Sequence, residues 1–178
     1  IREMRDAGVE ELGVFYIGES FTCKWLPEAI QEAKAVGYPY VFLTTNGSAA
    51  TPERVKACME AGLDSLKFSI NFHSAAQLSE VAKVSPTYWR RAIDNLKSAR
   101  KIRDEYGFKT KIYASSIKFD GLQGEAMQSV VDEIKPFQGR RGPCHLVKGR
   151  SSCTNRSLAL FVDDANGLGL SVGGRIRV

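Results

Sequence analysis

Residues 13–20 read Gly13-Val14-Phe15-Tyr16-Ile17-Gly18-Glu19-Ser20. A run of β-formers, Val14 to Ile17, breaks into a glycine, a carboxylate and a hydroxyl. A buried strand with a small polar tip is how α/β proteins present chemistry at one end of a parallel sheet. The spacing predicts this first strand over Leu12–Ile17 and three more of the same form. Tyr40–Thr44 leads into Thr45-Asn46-Gly47-Ser48, Leu66–Ile70 ends in Ser69-Ile70-Asn71, and Lys111–Ile117 carries Ser115 and Ser116 near its end.

Helical patterns fill the gaps. Ile1–Ala7 is a short helix closed by Gly8. Pro27 opens the next, with Leu26, Ile30 and Ala33 as its inner stripe and Gly37 as its stop. Thr51-Pro52-Glu53 starts another, with Val55, Cys58 and Met59 facing inward and Gly62 ending it. Residues 72–84 read as a longer loop with room for a helical turn. Ser85-Pro86 starts the longest helix, faced by Trp89, Ile93, Leu96 and Ile102 and closed by Gly107. Asp120 is placed to cap a last helix along Met127, Val130, Val131 and Ile134, which Pro136 terminates.

A repeat supports the parse. Ala7-Gly8-Val9-Glu10-Glu11-Leu12 matches Ala61-Gly62-Leu63-Asp64-Ser65-Leu66, and Ala35-Val36-Gly37-Tyr38-Pro39-Tyr40 takes the same place between them. Helix, glycine, short turn and buried strand in this order are βα units, which imply a parallel sheet with right-handed crossovers. Four strands are too few to close a barrel of eight, and no G-x-G-x-x-G follows the first strand. The expected fold class is therefore α/β: a partial (β/α) barrel of parallel strands with an irregular C-terminal tail.

The chain divides at about residue 137. Residues 1–138 carry 18 Lys and Arg against 18 Asp and Glu, whereas residues 139–178 carry 7 against 2, which is the whole net charge of +5. A basic tail rather than a basic patch argues against nucleic-acid binding. The tail is rich in Gly, Arg and Ser, and only Leu158–Val162 has strand character. It reads either as a loosely ordered segment or as a continuation produced by a frame error, and sequencing the coding DNA separates the two. No apolar run approaches the roughly 20 residues of a membrane span. Cys23, Cys58, Cys144 and Cys153 form no C-x-x-C pair, so a reducing cytoplasm is the default. The opening of the chain within a helix suggests a fragment.

The four strand tips offer backbone N–H groups, amides, hydroxyls and the carboxylate of Glu19, with no His–carboxylate pair and no cluster of metal ligands. That inventory suits holding a small polar molecule and suits acid–base catalysis poorly, so hard chemistry would fall to a cofactor. Each tip also has a structural reading, as a solvated carboxylate or helix N-cap at Glu19, as turn chemistry at Asn46-Gly47 and as strand-end satisfaction at Ser69, Asn71, Ser115 and Ser116. Cys58 reads as core, Cys23 as an inert loop thiol, and His73 and His145 as surface residues.

In order and spacing the tips resemble the central part of a radical S-adenosylmethionine (SAM) enzyme over residues 1 to about 137. Ile17-Gly18-Glu19-Ser20 stands for that family's G-G-E-P-type motif, Thr45-Asn46-Gly47 for its T-N-G, and Ser69-Ile70-Asn71 for its serine with Asp or Asn two residues on, after Ala61-Gly62-Leu63-Asp64. The resemblance implies SAM as a small-molecule cofactor. Gly18, Glu19 and Ser20 would lie at its amino group, Asn46, Ser69 and Asn71 near its ribose and carboxylate, and Ser115 along the same pocket. It further implies a 4Fe–4S cluster, hydrogen abstraction by a 5′-deoxyadenosyl radical, and a peptide or protein among the candidate substrates. The C-x-x-x-C-x-x-C that holds such a cluster is absent, its place lying upstream of Ile1, so the chain alone is expected to be inactive. Cys144 and Cys153 sit where a subset of the family has auxiliary clusters. Two alternatives stand beside this: another βα-barrel lyase or isomerase using Glu19 and a lysine, with Lys67 as the Schiff-base candidate, and a non-catalytic SAM-binding or interaction module.

Overall fold

A computed structural model describes residues 1–15, 17–117, 123–134, 146–148 and 157–160. Four parallel strands lie side by side in chain order: β1 (Glu11–Gly13), β2 (Tyr40–Thr45), β3 (Ser65–Ser69) and β4 (Lys111–Ile117). Helices α1 (Arg2–Asp6), α2 (Leu26–Ala35), α3 (Pro52–Glu60), α4 (Ala75–Ala82) and α5 (Thr87–Tyr106) precede or link them, and α6 (Gln123–Ile134) follows. Two short strands from the tail, β5 (Leu146–Lys148) and β6 (Ser157–Leu160), pair antiparallel, β6 lying along β4.

Sequential parallel order is the order of a barrel wall; a doubly wound sheet must reverse direction to place helices on both faces. Burial agrees. In β2, Val41, Leu43 and Thr45 are buried while Tyr40, Phe42 and Thr44 are half-buried. In β4, Ile112, Ala114 and Ser116 are buried and the alternate residues are not. A parallel strand covered on both faces would not alternate. Among the described residues the helices therefore lie against one face, and the other, which would be the interior of a closed barrel, is bare of them. The molecule is an incomplete (β/α) barrel. No helix among the described residues is long and apolar enough to cross a membrane.

The core forms between sheet and helices. Ile30 and Ala33 of α2, Val55, Cys58 and Met59 of α3, and Ile93, Leu96 and Ala99 of α5 pack over Val41, Leu43, Leu66, Phe68 and Ile112. In α6, Met127, Val130, Val131 and Ile134 are buried, the face its periodicity predicts. Arg100 of α5, itself buried, donates through Nη1 to the carbonyl of Ile134 at 2.5 Å, satisfying the end of that helix.

The internal repeat is a repeat of helix stops. Gly8, Gly37 and Gly62 have φ of +91°, +93° and +97°. After each, the next residue's N–H reaches back five positions: Val9 to Met4, Tyr38 to Ala33 and Leu63 to Cys58, all at 3.1 Å. This is the Schellman closure, and its left-handed residue is why glycine recurs there.

β2 extends one residue to Thr45 and β3 shifts by one to Ser65–Ser69, while two differences are larger. β1 ends at Gly13 rather than Ile17: it pairs on one side only, Val14 N–H makes a last bond to Phe42, and Ile17 is 94% exposed. Residues 75–82, read as loop, form α4. No residue of this helix is fully buried, and only Ala75 and Leu78 pack partly against the core, so its apolar stripe is short. The cap is visible instead: Ser74 accepts from Gln77 N–H at 3.1 Å, and Gln77 Oε1 accepts from His73 N–H at 2.9 Å.

At the amino end of the sheet, Asp64 Oδ2 accepts from Val41 N–H at 2.7 Å and from Lys34 Nζ at 2.9 Å. Lys34 and Asp64 are each about a third exposed, so screening holds that ion pair to at most about 1 kcal/mol. The bond to the buried Val41 matters more. Asp64→Ala should therefore cost about 1–3 kcal/mol by leaving that N–H unpaired. Asp64→Asn, which keeps a carbonyl oxygen, should cost less than half as much. Urea unfolding of the two variants checks the ratio, and equal losses would show that the charge, not the backbone bond, is what counts.

Candidate functional site

The carboxyl ends of β1 and β2 are joined by Glu19. Its Oε1 accepts from Thr45 Oγ1 at 2.6 Å and from Phe21 N–H at 3.2 Å, and its Oε2 accepts from Asn46 N–H at 2.8 Å. The bond to Phe21 makes Glu19 the N-cap of a single 3₁₀ turn, Ser20–Thr22. Thr45 Oγ1 in turn accepts from Gly47 N–H at 2.9 Å. The carboxylate is thus held by its own chain at both oxygens. Gly18 beside it is exposed, and a Cβ there would meet nothing within 4 Å.

The loop after β2 is equally built. Asn46 Oδ1 accepts from the N–H and hydroxyl of Ser48 at 2.9 and 2.7 Å, an Asx turn. Gly47 has φ +81°, and a Cβ on it would sit 2.9 Å from Phe68 and 3.0 Å from Ala92. Its carbonyl accepts from Asn95 Nδ2 at 2.7 Å. Across the sheet, Asn71 Oδ1 accepts from Ile117 N–H at 3.2 Å and Ile70 N–H donates to Ser115 at 2.8 Å, so the ends of β3 and β4 are tied as well.

Of the residues singled out from sequence, Asn46, Ser69 and Asn71 come together on one cavity of about 380 Å³, between the ends of β2 and β3 and helices α4 and α5. Gly18, Glu19, Ser20 and Ser115 are not on its wall. Trp89 is, and the motifs did not point to it. Its indole N–H donates to the carbonyl of Phe72 at 2.9 Å, fixing the ring. Asn95 was missed too; nothing distinguishes it in sequence from a solvated polar residue of a long helix.

The helix-free face has its own group of side chains. Lys67 stands exposed in the middle of β3, in register with Thr44 on one side and Tyr113 on the other. Ser69 and Ser115, also in register, lie one step nearer the carboxyl ends on the same face. Thr44 Oγ1 is shielded from solvent and has no hydrogen-bond partner among the described residues.

Cys58 is core, as its spacing predicts, and burial pushes its thiol up to about 12, with the charge of Glu28 adding to the effect. Cys23 is half-buried and lines a smaller cleft with it. Cys144, Cys153, His145 and Asp120 lie outside the described residues. Among those described, no group of three His, Cys, Asp or Glu could hold a metal ion.

No family model and no curated protein matches the chain. A solved structure described as a "putative phosphonomutase from Burkholderia cenocepacia J2315" is similar, with a TM-score of 0.47 and 13% identity over 74% of this chain; the match spans 57% of that protein. The radical SAM membership expected from the motifs is corrected accordingly: no family model answers to the motifs, and the similar solved structure named above is described as a putative phosphonomutase, not as a radical SAM enzyme. The iron–sulfur reading goes with it. Glu19, the residue on which that resemblance leaned most, spends its carboxylate on Phe21, Thr45 and Asn46.

Two substitutions follow from this loop. Glu19→Gln replaces one acceptor oxygen by an NH₂ group and should cost about 1–3 kcal/mol in urea unfolding; an unchanged midpoint would show that the contacts carry no stability. Gly47→Ala should cost about 2–4 kcal/mol from positive φ plus overpacking, against about 1 kcal/mol for Gly37→Ala, where a Cβ meets open space. Thermal unfolding of the pair tests the difference.

Proposed function

We propose that the chain is part of a (β/α)-barrel lyase or isomerase acting on a small carbonyl compound, with Lys67 as its nucleophile. The observation that carries this reading is the row Thr44, Lys67, Tyr113 on the helix-free face, with Ser69 and Ser115 one step above it. Adjacent strands are about 4.8 Å apart, so a molecule of a few carbons seated over Lys67 reaches its neighbours on both sides. The unpaired Thr44 hydroxyl supports the reading, because a buried polar group without a partner is costly and a ligand oxygen would satisfy it.

The chemistry is that of an amine on a carbonyl. Lys67 Nζ attacks the carbonyl carbon, a C–N bond forms, and the oxygen leaves as water. The iminium so formed draws the electron pair of an adjacent bond. Cleavage of a C–C bond there is a lyase reaction, and movement of a proton is an isomerase reaction. The resulting enamine takes up a proton from solvent at carbon, which regenerates an iminium, and its hydrolysis releases the carbonyl product and returns the amine. Glu19 is not proposed as the base, since both its oxygens are occupied.

Borohydride trapping tests the proposal. The full chain incubated with pyruvate or dihydroxyacetone and then reduced should gain the mass of one reduced adduct on the peptide containing Lys67. Labelling there should exceed that on Lys111, the exposed lysine at the start of β4, by about tenfold. Lys67→Met should abolish the adduct. Equal labelling of the two lysines, or none, would sink the assignment.

A further inference from the structure

The cavity between the strand ends and α4–α5 shares Ser69 with the group around Lys67, but Lys67, Thr44 and Tyr113 do not line it and its chemistry is different. It measures about 380 Å³, at the small end of the roughly 300–1,000 Å³ that ligand sites occupy. One end is polar, formed by Asn46, Ser48, Ser69 and Asn71. The rest is apolar and includes Phe72, Leu78, Tyr88 and Trp89. No charged side chain lines it among the described residues.

The hydrogen-bond balance sets what this space can hold. Asn46 Oδ1 already accepts twice from Ser48, so the amide's remaining capacity is its NH₂ group. Ser69 Oγ has no partner among the described residues and supplies a second donor. Trp89 cannot compete for a ligand with its N–H, which Phe72 holds; it presents only a ring, and its side chain is nearly buried at 8% exposure. A carboxylate or phosphate placed here would find no counter-charge, and a buried unpaired charge is strongly disfavoured. The same holds for an ammonium group.

The geometry points to a binding site for a neutral small molecule that has a flat apolar ring and a hydrogen-bond acceptor at one end. The ring lies along Trp89 and Leu78, and the acceptor meets Ser69 and the Asn46 amide. The site does not depend on Lys67 and binds whether or not that lysine forms an adduct.

Three probes that share one ring and differ in charge test this: benzamide, benzoate and benzylamine. The protein has two tryptophans, and Trp25 is exposed elsewhere, so a Trp25→Phe background makes Trp89 the sole reporter. Benzamide should change Trp89 emission saturably, with half-saturation at or below about 1 mM. Benzoate and benzylamine should bind at least about tenfold more weakly. Ser69→Ala should weaken benzamide about five- to tenfold by removing one donor. Ala82→Phe, which adds a ring at the exposed rim without touching the core, should weaken it by at least as much. Lys67→Met should leave it unchanged, so this reading and the Schiff-base reading fail separately. No saturable response, charged probes binding as well as benzamide, insensitivity to both Ser69→Ala and Ala82→Phe, or loss of binding in Lys67→Met would each overturn the site.

Discussion

The carboxylate of Glu19 is the fixed point of the carboxyl-terminal rim. It satisfies one N–H of its own 3₁₀ turn, one hydroxyl and one backbone N–H of the next strand's end. Charge-assisted bonds of this kind are about twice as strong as neutral ones. Through Thr45 the effect passes to Gly47, and through Gly47 to Asn95 of α5. The loop after β1, the loop after β2 and the longest helix are therefore set relative to one another by a single connected network. What a ligand meets at this rim is a surface already organised by the chain itself.

The fold was legible because its signals are local and repeated. Alternating burial, three left-handed glycines at matching helix ends, and proline at the start of α2 and α3 all follow from short-range rules. β4 falls on the residues its pattern predicts, whereas β1 is shorter, since an edge strand with one partner does not need to bury Ile17. The helix α4 escaped because only Ala75 and Leu78 pack, each partly, and so short a stripe is a weak periodic signal. Its Ser74–Gln77 cap was the signal available.

The site was less legible, for a physical reason. Short polar residues at strand ends serve turns and ligands with the same groups, and sequence alone does not say which bond is made. Glu19 illustrates the point: its type and place suit cofactor binding, yet both oxygens are spent internally. Asn46 is divided, its oxygen committed to Ser48 and its NH₂ group not. Trp89 and Thr44 could not have been found by motif, because what marks them is a missing or fixed partner in space.

Strand order also bears on how the chain reaches this state. Each of β2, β3 and β4 pairs with the strand immediately before it. Every unit therefore finds its template already assembled, and the loop to be closed is one βα unit long. Such a chain can grow from its first strand as it leaves the ribosome, adding one unit at a time, without waiting for distant sequence to arrive.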